Sequence, residues 1–153
     1  MIKHILVALD YGDTCQSVFN QAVELAQPLQ ANLNLLSVLT PQRDDSLTQA
    51  PYSDQAWKIY RDRYRDLQTV GLRLLEGWAN QAQELGIKAE FTQEFGSPGP
   101  VICQLAKTWG ADLILVGSHG RQGLGEMLLG SVSNYVVHHA TCSVMVVHES
   151  DQA

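Results

Sequence analysis

Gly117 and Gly120 are followed by Gly130 and the hydroxyl residue Ser131, and the stretch from Ser118 to Leu129 holds His119, Arg121, Gly123, Gly125 and Glu126. Glycines let backbone N–H groups converge on one point. A helix starting near Ser131 would add free N–H groups and the positive end of its dipole, and together these suit an anion such as a phosphate chain. Ser131 and Ser133 would supply hydroxyl donors in its first turn, and Arg121 a positive charge. A plain turn-and-linker role would use the same glycines, so composition leaves both readings open.

Two better-known phosphate motifs are absent. No glycine precedes a lysine, which removes the GxxxxGK[ST] loop and its phosphate-gripping lysine. The dinucleotide fingerprint fails as well, because Gly123-Leu124-Gly125 is followed three residues later by Leu128 and lies after a late strand instead of the first. Ser131, His119 and Asp10 can be arranged on paper as a hydrolytic triad. No GxSxG elbow presents a serine after a strand, however, and a phosphate role already accounts for Ser131. Glu126 is the carboxylate near the glycines. A divalent ion would therefore be held mainly through a ligand's phosphates. His138-His139 and His148 lack metal-site spacing and read as the ends of a helix and a strand.

The elements that must position these residues are visible as hydrophobic patterns. Ile5 to Leu9 is an apolar run suited to a parallel strand covered on both faces. After Asp10-Tyr11-Gly12-Asp13, the spacing of Val18, Ala22, Leu25, Ala26 and Leu29 is helical, with Asp13 or Thr14 as N-cap and Pro28 ending or kinking the helix. Leu33 to Leu39 is a second strand, and Gln42 to Ser53 is polar and undefined. From Asp54 to Leu85, Trp57, Tyr60, Tyr64, Leu67, Val70, Leu74, Leu75, Trp78 and Ala82 recur at helical spacing. That helix would be about 45 Å long at 1.5 Å per residue, so either its first turns project past the sheet or Gly71 and Gly77 bend it. The run Lys58 to Asp66, alternating in sign, reads as a solvated face or a partner surface.

Ile87 to Phe95 is a third strand, a helix from about Val101 to Trp109 follows the Gly96-to-Pro100 turn, and Asp112 to Gly117 is a fourth strand. Ser131 to His139 is a short helix and Ser143 to Val147 a last strand. Apolar strands alternating with helices imply a single α/β unit over residues 1–150: an open parallel sheet with helices on both faces and right-handed crossovers. Ligands in such sheets settle beyond the carboxyl ends of the strands where the order reverses.

The chain has 153 residues, 45% hydrophobic and 17% charged, which is enough apolar surface for one core and excludes a disordered polar protein. Its net charge of -6 makes broad attraction to nucleic acid or anionic lipid a poor expectation. Cys15, Cys103 and Cys142 are odd in number and widely spaced, reading as small buried hydrophobes in a reducing compartment. No signal-peptide pattern or membrane-length apolar run is present, so the expected location is cytoplasmic.

The spacing Gly117-x2-Gly120-x9-Gly130-Ser131 matches the G-x2-G-x9-G-[S/T] nucleotide motif of the universal stress protein family, and the chain resembles that family over essentially its whole length. The first strand and its aspartate turn at Asp10, the Gly96-Ser97-Pro98 turn, and Cys142 to Val147 are similar to the family's corresponding parts. The resemblance implies a Rossmann-like five-stranded sheet in the order 3-2-1-4-5 that holds ATP, or another adenine nucleotide, over strands one and four. Asp10 would then accept from the ribose hydroxyls. Val38 backbone groups would meet the adenine edge, with Ala8 leaving room beside the base. Gly117, His119, Gly120 and Arg121 would surround the phosphates from one side, and Gly130, Ser131, Val132 and Ser133 from the other, with Mg possible through the phosphates. For Asp10 the competing role is a helix cap; for Val38 and Ala8, ordinary core.

The function implied is a cytoplasmic stress-response regulator in which binding outweighs turnover, with slow ATP hydrolysis at most. A homodimer through the last strand, whose Val144, Val146 and Val147 would make a costly bare edge, is implied as well. The alternatives are a nucleotide-independent interaction or chaperone-like dimer, and a slow ATP hydrolase.

Overall fold

In the computed structural model, which describes residues 1–12, 14–40, 54–118 and 129–149, the apolar runs form β1 (His4–Ala8), β2 (Asn32–Leu39), β3 (Ala89–Phe95), β4 (Leu113–Gly117) and β5 (Ser143–Val147). Between them lie α1 (Cys15–Leu29), α2 (Asp54–Glu84), α3 (Pro98–Trp109) and α4 (Ser131–His139). Every strand pairing is parallel and the sheet order is β3-β2-β1-β4-β5, the expected α/β arrangement.

The central strands are mostly apolar because both faces are covered, with the buried Asn34 and Ser37 of β2 as polar exceptions. Successive side chains point to opposite sides. Val7, Leu33 and Leu35 therefore meet Val18, Phe19 and Ala22 of α1 and Leu75 and Ala79 of α2. Leu6, Leu36 and Ile114 meet Ile102 and Ala106 of α3 and Val136 of α4 on the other face. Each fully buried leucine or isoleucine contributes roughly 1.5–3 kcal/mol relative to an exposed one. β3 departs from the expectation of apolar strands: it lies at the sheet's edge, and Glu90, Phe91, Glu94 and Phe95 are exposed.

At the amino ends of the strands, Asp112 ties β1 to β4. Its Oδ2 accepts from the Lys3 N–H at 2.8 Å and the His4 N–H at 2.9 Å, while its own N–H donates to His4 O at 2.8 Å.

One local boundary needs correction. α3 begins at Pro98, three residues earlier than the apolar pattern suggests, because a proline is well placed in a first helical turn, where its missing N–H costs nothing. Pro28 sits in the last turn of α1, which ends one residue later against a left-handed Gln30 (φ 51°). α2 runs unbroken through Gly71 and Gly77.

The length of α2 is accommodated by overhang. Its buried residues are Gly71, Leu75, Ala79 and Ala82, all in its second half, while Trp57, Leu67, Val70 and Leu74 are exposed. The sheet-facing stripe continues outward as an aromatic series, with Trp57–Tyr60 ring centroids 6.1 Å apart and Tyr60–Tyr64 6.2 Å. Tyr64 meets Phe95 at the carboxyl end of β3 at 5.4 Å, so the turns before it extend beyond the sheet. Residues 41–53, which include the polar segment Gln42 to Ser53, lie outside the described residues.

Candidate functional site

The sheet order reverses between β1 and β4. The crossover after β1 leads to β2 on one side, and the one after β3 returns to β4 on the other. The strands' carboxyl ends and the following helix starts diverge there and leave a hollow. It encloses about 260 Å³, with Leu36, Val38, Ile102 and Val116 giving an apolar inner end and Asp10, Gly130 and Ser131 the polar groups.

Eight residues singled out from the sequence line this one cavity: Ala8, Asp10, Val38, Gly117, Gly130, Ser131, Val132 and Ser133. His119, Gly120 and Arg121 lie outside the described residues, as does Asp13. The hydrolytic arrangement through His119 and the ion-ligand role of Glu126 fall there too.

Asp10 stands one residue past Leu9, whose N–H donates to Leu36 O at 2.8 Å and keeps the chain in line with the sheet. Its Oδ1 accepts from the Gly12 N–H at 2.9 Å, closing an Asx turn that orients the carboxylate. Tyr11 between them has φ 62°, a left-handed conformation that costs a side-chain-bearing residue about 1–2 kcal/mol. Its hydroxyl donates to Gly71 O in α2 at 2.9 Å, which holds it there. Thr14 takes the N-cap position of α1 without a side-chain capping bond, so the expected cap chemistry is not used.

At the other wall α4 opens at Ser131, where its sequence pattern places it. Gly130 is the N-cap (φ -71°, ψ 170°) and Ser131 the first helical residue. Asn134 N–H bonds back to Gly130 O at 3.0 Å, and the N–H groups of Ser131, Val132 and Ser133 precede the intrahelical ladder. The Ser133 hydroxyl is used inside the fold: it is buried, 3.1 Å from Gly130 O and 3.2 Å from Ser118 O. The hydroxyl expected to donate to a ligand is thus engaged within the fold, whereas Ser131 is exposed.

Ser118 fastens this corner. Its N–H donates to Val147 O at 2.9 Å and its carbonyl accepts from the Gly130 N–H at 2.6 Å, joining β4, β5 and α4. Its Oγ is buried with no hydrogen-bond partner among the described residues.

Cys15, Pro98 and Ile102 also line the cavity and were not anticipated as site residues. The available signal was positional, since residues opening a helix after a strand's carboxyl end collect at the reversal point. Burial raises the thiol pKa of Cys15 above its ordinary value, with the Asp10 charge adding to it against a backbone hydrogen bond. All three cysteines are free, Cys15 buried and the other two half-buried.

A second, larger hollow of about 510 Å³ lies at the opposite ends of the strands, lined by Gln27, Gln30, Asn32 and Lys88 among others. It collects none of the glycines or carboxylates considered above. Among the described residues no group of three or more histidine, cysteine, aspartate and glutamate side chains is placed to hold a metal, and no helix is long and apolar enough to cross a membrane.

Residues 1–148 match the sequence model described as the universal stress protein family. The chain is similar to universal stress protein Sll1388 of Synechocystis sp., 36% identical over 147 residues, covering 94% of this chain and 96% of that protein. It is also similar to the solved structure of universal stress protein UspA from Lactobacillus plantarum, with TM-score 0.72, 26% identity, and 95% and 97% of the two chains covered. A universal stress protein family protein from Arabidopsis thaliana, solved with AMP bound, superposes with TM-score 0.69 at 25% identity over 97% of this chain and 93% of that one.

Proposed function

This chain belongs to the universal stress protein family, and from that premise we propose that it is a cytoplasmic adenine-nucleotide-binding regulator, with ATP as its ligand and binding, not turnover, as its activity. The observation that carries this reading is the single cavity between β1 and β4, where the Asp10 carboxylate and the amino end of α4 share one hollow with an apolar inner end. A base would lie among Ala8, Val38 and Ile102 of the cavity lining. The ribose hydroxyls have an oriented acceptor in Asp10, and a phosphate chain has the leading N–H groups of α4. The AMP held by the Arabidopsis relative supports an adenine nucleotide as the ligand class. Mg would ride on the phosphates.

A homodimer through β5 is favoured because that strand is paired on one side only, by β4, while Val144, Met145 and Val146 are half-buried. Asp10, the carboxylate that lines the cavity, is given to the ribose in this reading, so occupancy and not hydrolysis is the proposed activity.

Calorimetry and thermal unfolding with ATP, ADP, AMP and cyclic nucleotides test the reading. A ligand of the folded state must stabilise it, by about 2.7 kcal/mol at a concentration one hundred times Kd. Absence of heat and of stabilisation with every one of these ligands overturns it.

A further inference from the structure

We propose that Tyr11 is a positioning residue for the ribose end of the site, and that its bond to Gly71 makes the Asp10 turn and the long helix α2 move as one unit. The inference rests on the adenine-nucleotide reading for its ribose half, while the mechanical half stands on the geometry alone.

The Asp10 turn contains a side-chain-bearing residue in a left-handed conformation, with Tyr11 at φ 62°. Such a conformation persists where the surroundings over-determine it. Here the determinant is α2: Tyr11 Oη–H donates to Gly71 O at 2.9 Å across 60 residues of sequence. The two surfaces meet so closely that a Cβ on Gly71 would lie 3.2 Å from Tyr11 Oη and 2.6 Å from Gln93 Nε2. Gln93 in turn donates to Gln68 O at 3.2 Å, one helical turn before Gly71. α2 is thus held at Gly71 from two sides, by the aspartate turn and by β3.

Asp10 Oδ1 takes its orientation from the Gly12 N–H, and both residues flank Tyr11. Freeing the tyrosine hydroxyl lets residue 11 leave the left-handed region, and the Asx turn then loses the geometry that aims the carboxylate into the cavity. The coupling is reciprocal. A ligand that fixes the carboxylate also fixes Tyr11 and, through Gly71, the helix whose first turns overhang the sheet.

Tyr11→Phe in the full chain removes the hydroxyl and keeps the ring. Without ligand, amide hydrogen exchange is expected to quicken severalfold at Gly12 and in α2 around Gly71; unchanged exchange at both overturns the mechanical half. With ligand, the affinity for ATP is expected to fall about fivefold, the effect of one hydrogen bond, while that for inorganic tripolyphosphate stays as in the wild type. Equal losses for both, or none, overturn the positioning role. Gly71→Ala is the second variant. Residue 71 lines no part of the cavity, and its methyl group would displace the Gln93 amide at 2.6 Å and press on Tyr11 Oη at 3.2 Å, so the same selective loss is expected, smaller than in Tyr11→Phe. A selective loss in Tyr11→Phe without one in Gly71→Ala would show Tyr11 acting on the ligand directly and overturn the coupling to α2. If the wild-type chain binds no adenine nucleotide, the ribose half falls with the functional reading, and hydrogen exchange alone decides the mechanical half.

Discussion

A Cβ on Gly117 would lie 2.7 Å from Thr14 Oγ1 and 3.3 Å from Thr14 Cβ. The first glycine of the spaced motif is thus required by the packing of α1 against the end of β4, whatever its part in ligand binding. Gly117→Ala is expected to destabilise the fold by about 1–3 kcal/mol, the usual cost of forcing an extra carbon into a filled space. Replacing Thr14 by Ala in the same chain removes the nearer clash, so urea unfolding of the double variant should recover part of the loss. Strict additivity would show that the two positions do not meet.

Asp10→Asn separates two jobs of one side chain. The amide oxygen still accepts the Gly12 N–H, but the negative charge and part of the acceptor capacity are lost. Calorimetry should show a clear loss for ATP and AMP and little change for inorganic tripolyphosphate. Equal weakening of all three would mean that Asp10 does not meet the ribose.

Acid should loosen the strand ends through Asp112. The Lys3 N–H, then the His4 N–H, hold its carboxyl below the ordinary carboxylate value of about 3.9. A carboxylate whose folded pKa is depressed contributes stability above the unfolded value, and that contribution is lost as pH falls through the folded one. Thermal unfolding followed downward from about pH 5 should therefore fall more steeply in the wild type than in Asp112→Asn. Parallel curves would remove Asp112 from the acid response.

Cys15 should report occupancy. Its burial and raised pKa keep the thiol protonated at neutral pH, so alkylation should be slow there and quicken toward pH 9 and above, the ordinary thiol value being about 8.5. Because it lines the cavity, saturating nucleotide should slow the reaction at Cys15 and leave Cys103 and Cys142 unaffected. Mass spectrometry of the labelled peptides measures all three, and equal protection everywhere would point to general stabilisation instead of a ligand at Cys15.

The order of elements was legible along the chain because a strand buried on both faces must be apolar over most of its length, and a helix on a sheet must repeat every three or four residues. Ile5 to Leu9 and Asp112 to Gly117 announced β1 and β4 within a residue, and Ser131 to His139 and Ser143 to Val147 coincide with α4 and β5. The glycine spacing pointed to the corner where β4 gives way to α4. Long-range relations left no local trace. The apolar repeat of α2 predicted a buried face, yet burial starts only where the sheet lies beneath it, so Trp57 and Leu67 are exposed while Leu75 is not. Gly71 read as a breaker, and its lack of a side chain answers to Tyr11 and Gln93. Periodicity records what one segment demands of any partner, but only the packed sheet decides which partner arrives. The cavity shared by Asp10 and Ser131 could therefore be anticipated only through family likeness, and its walls exist because β1 and β4 lie side by side.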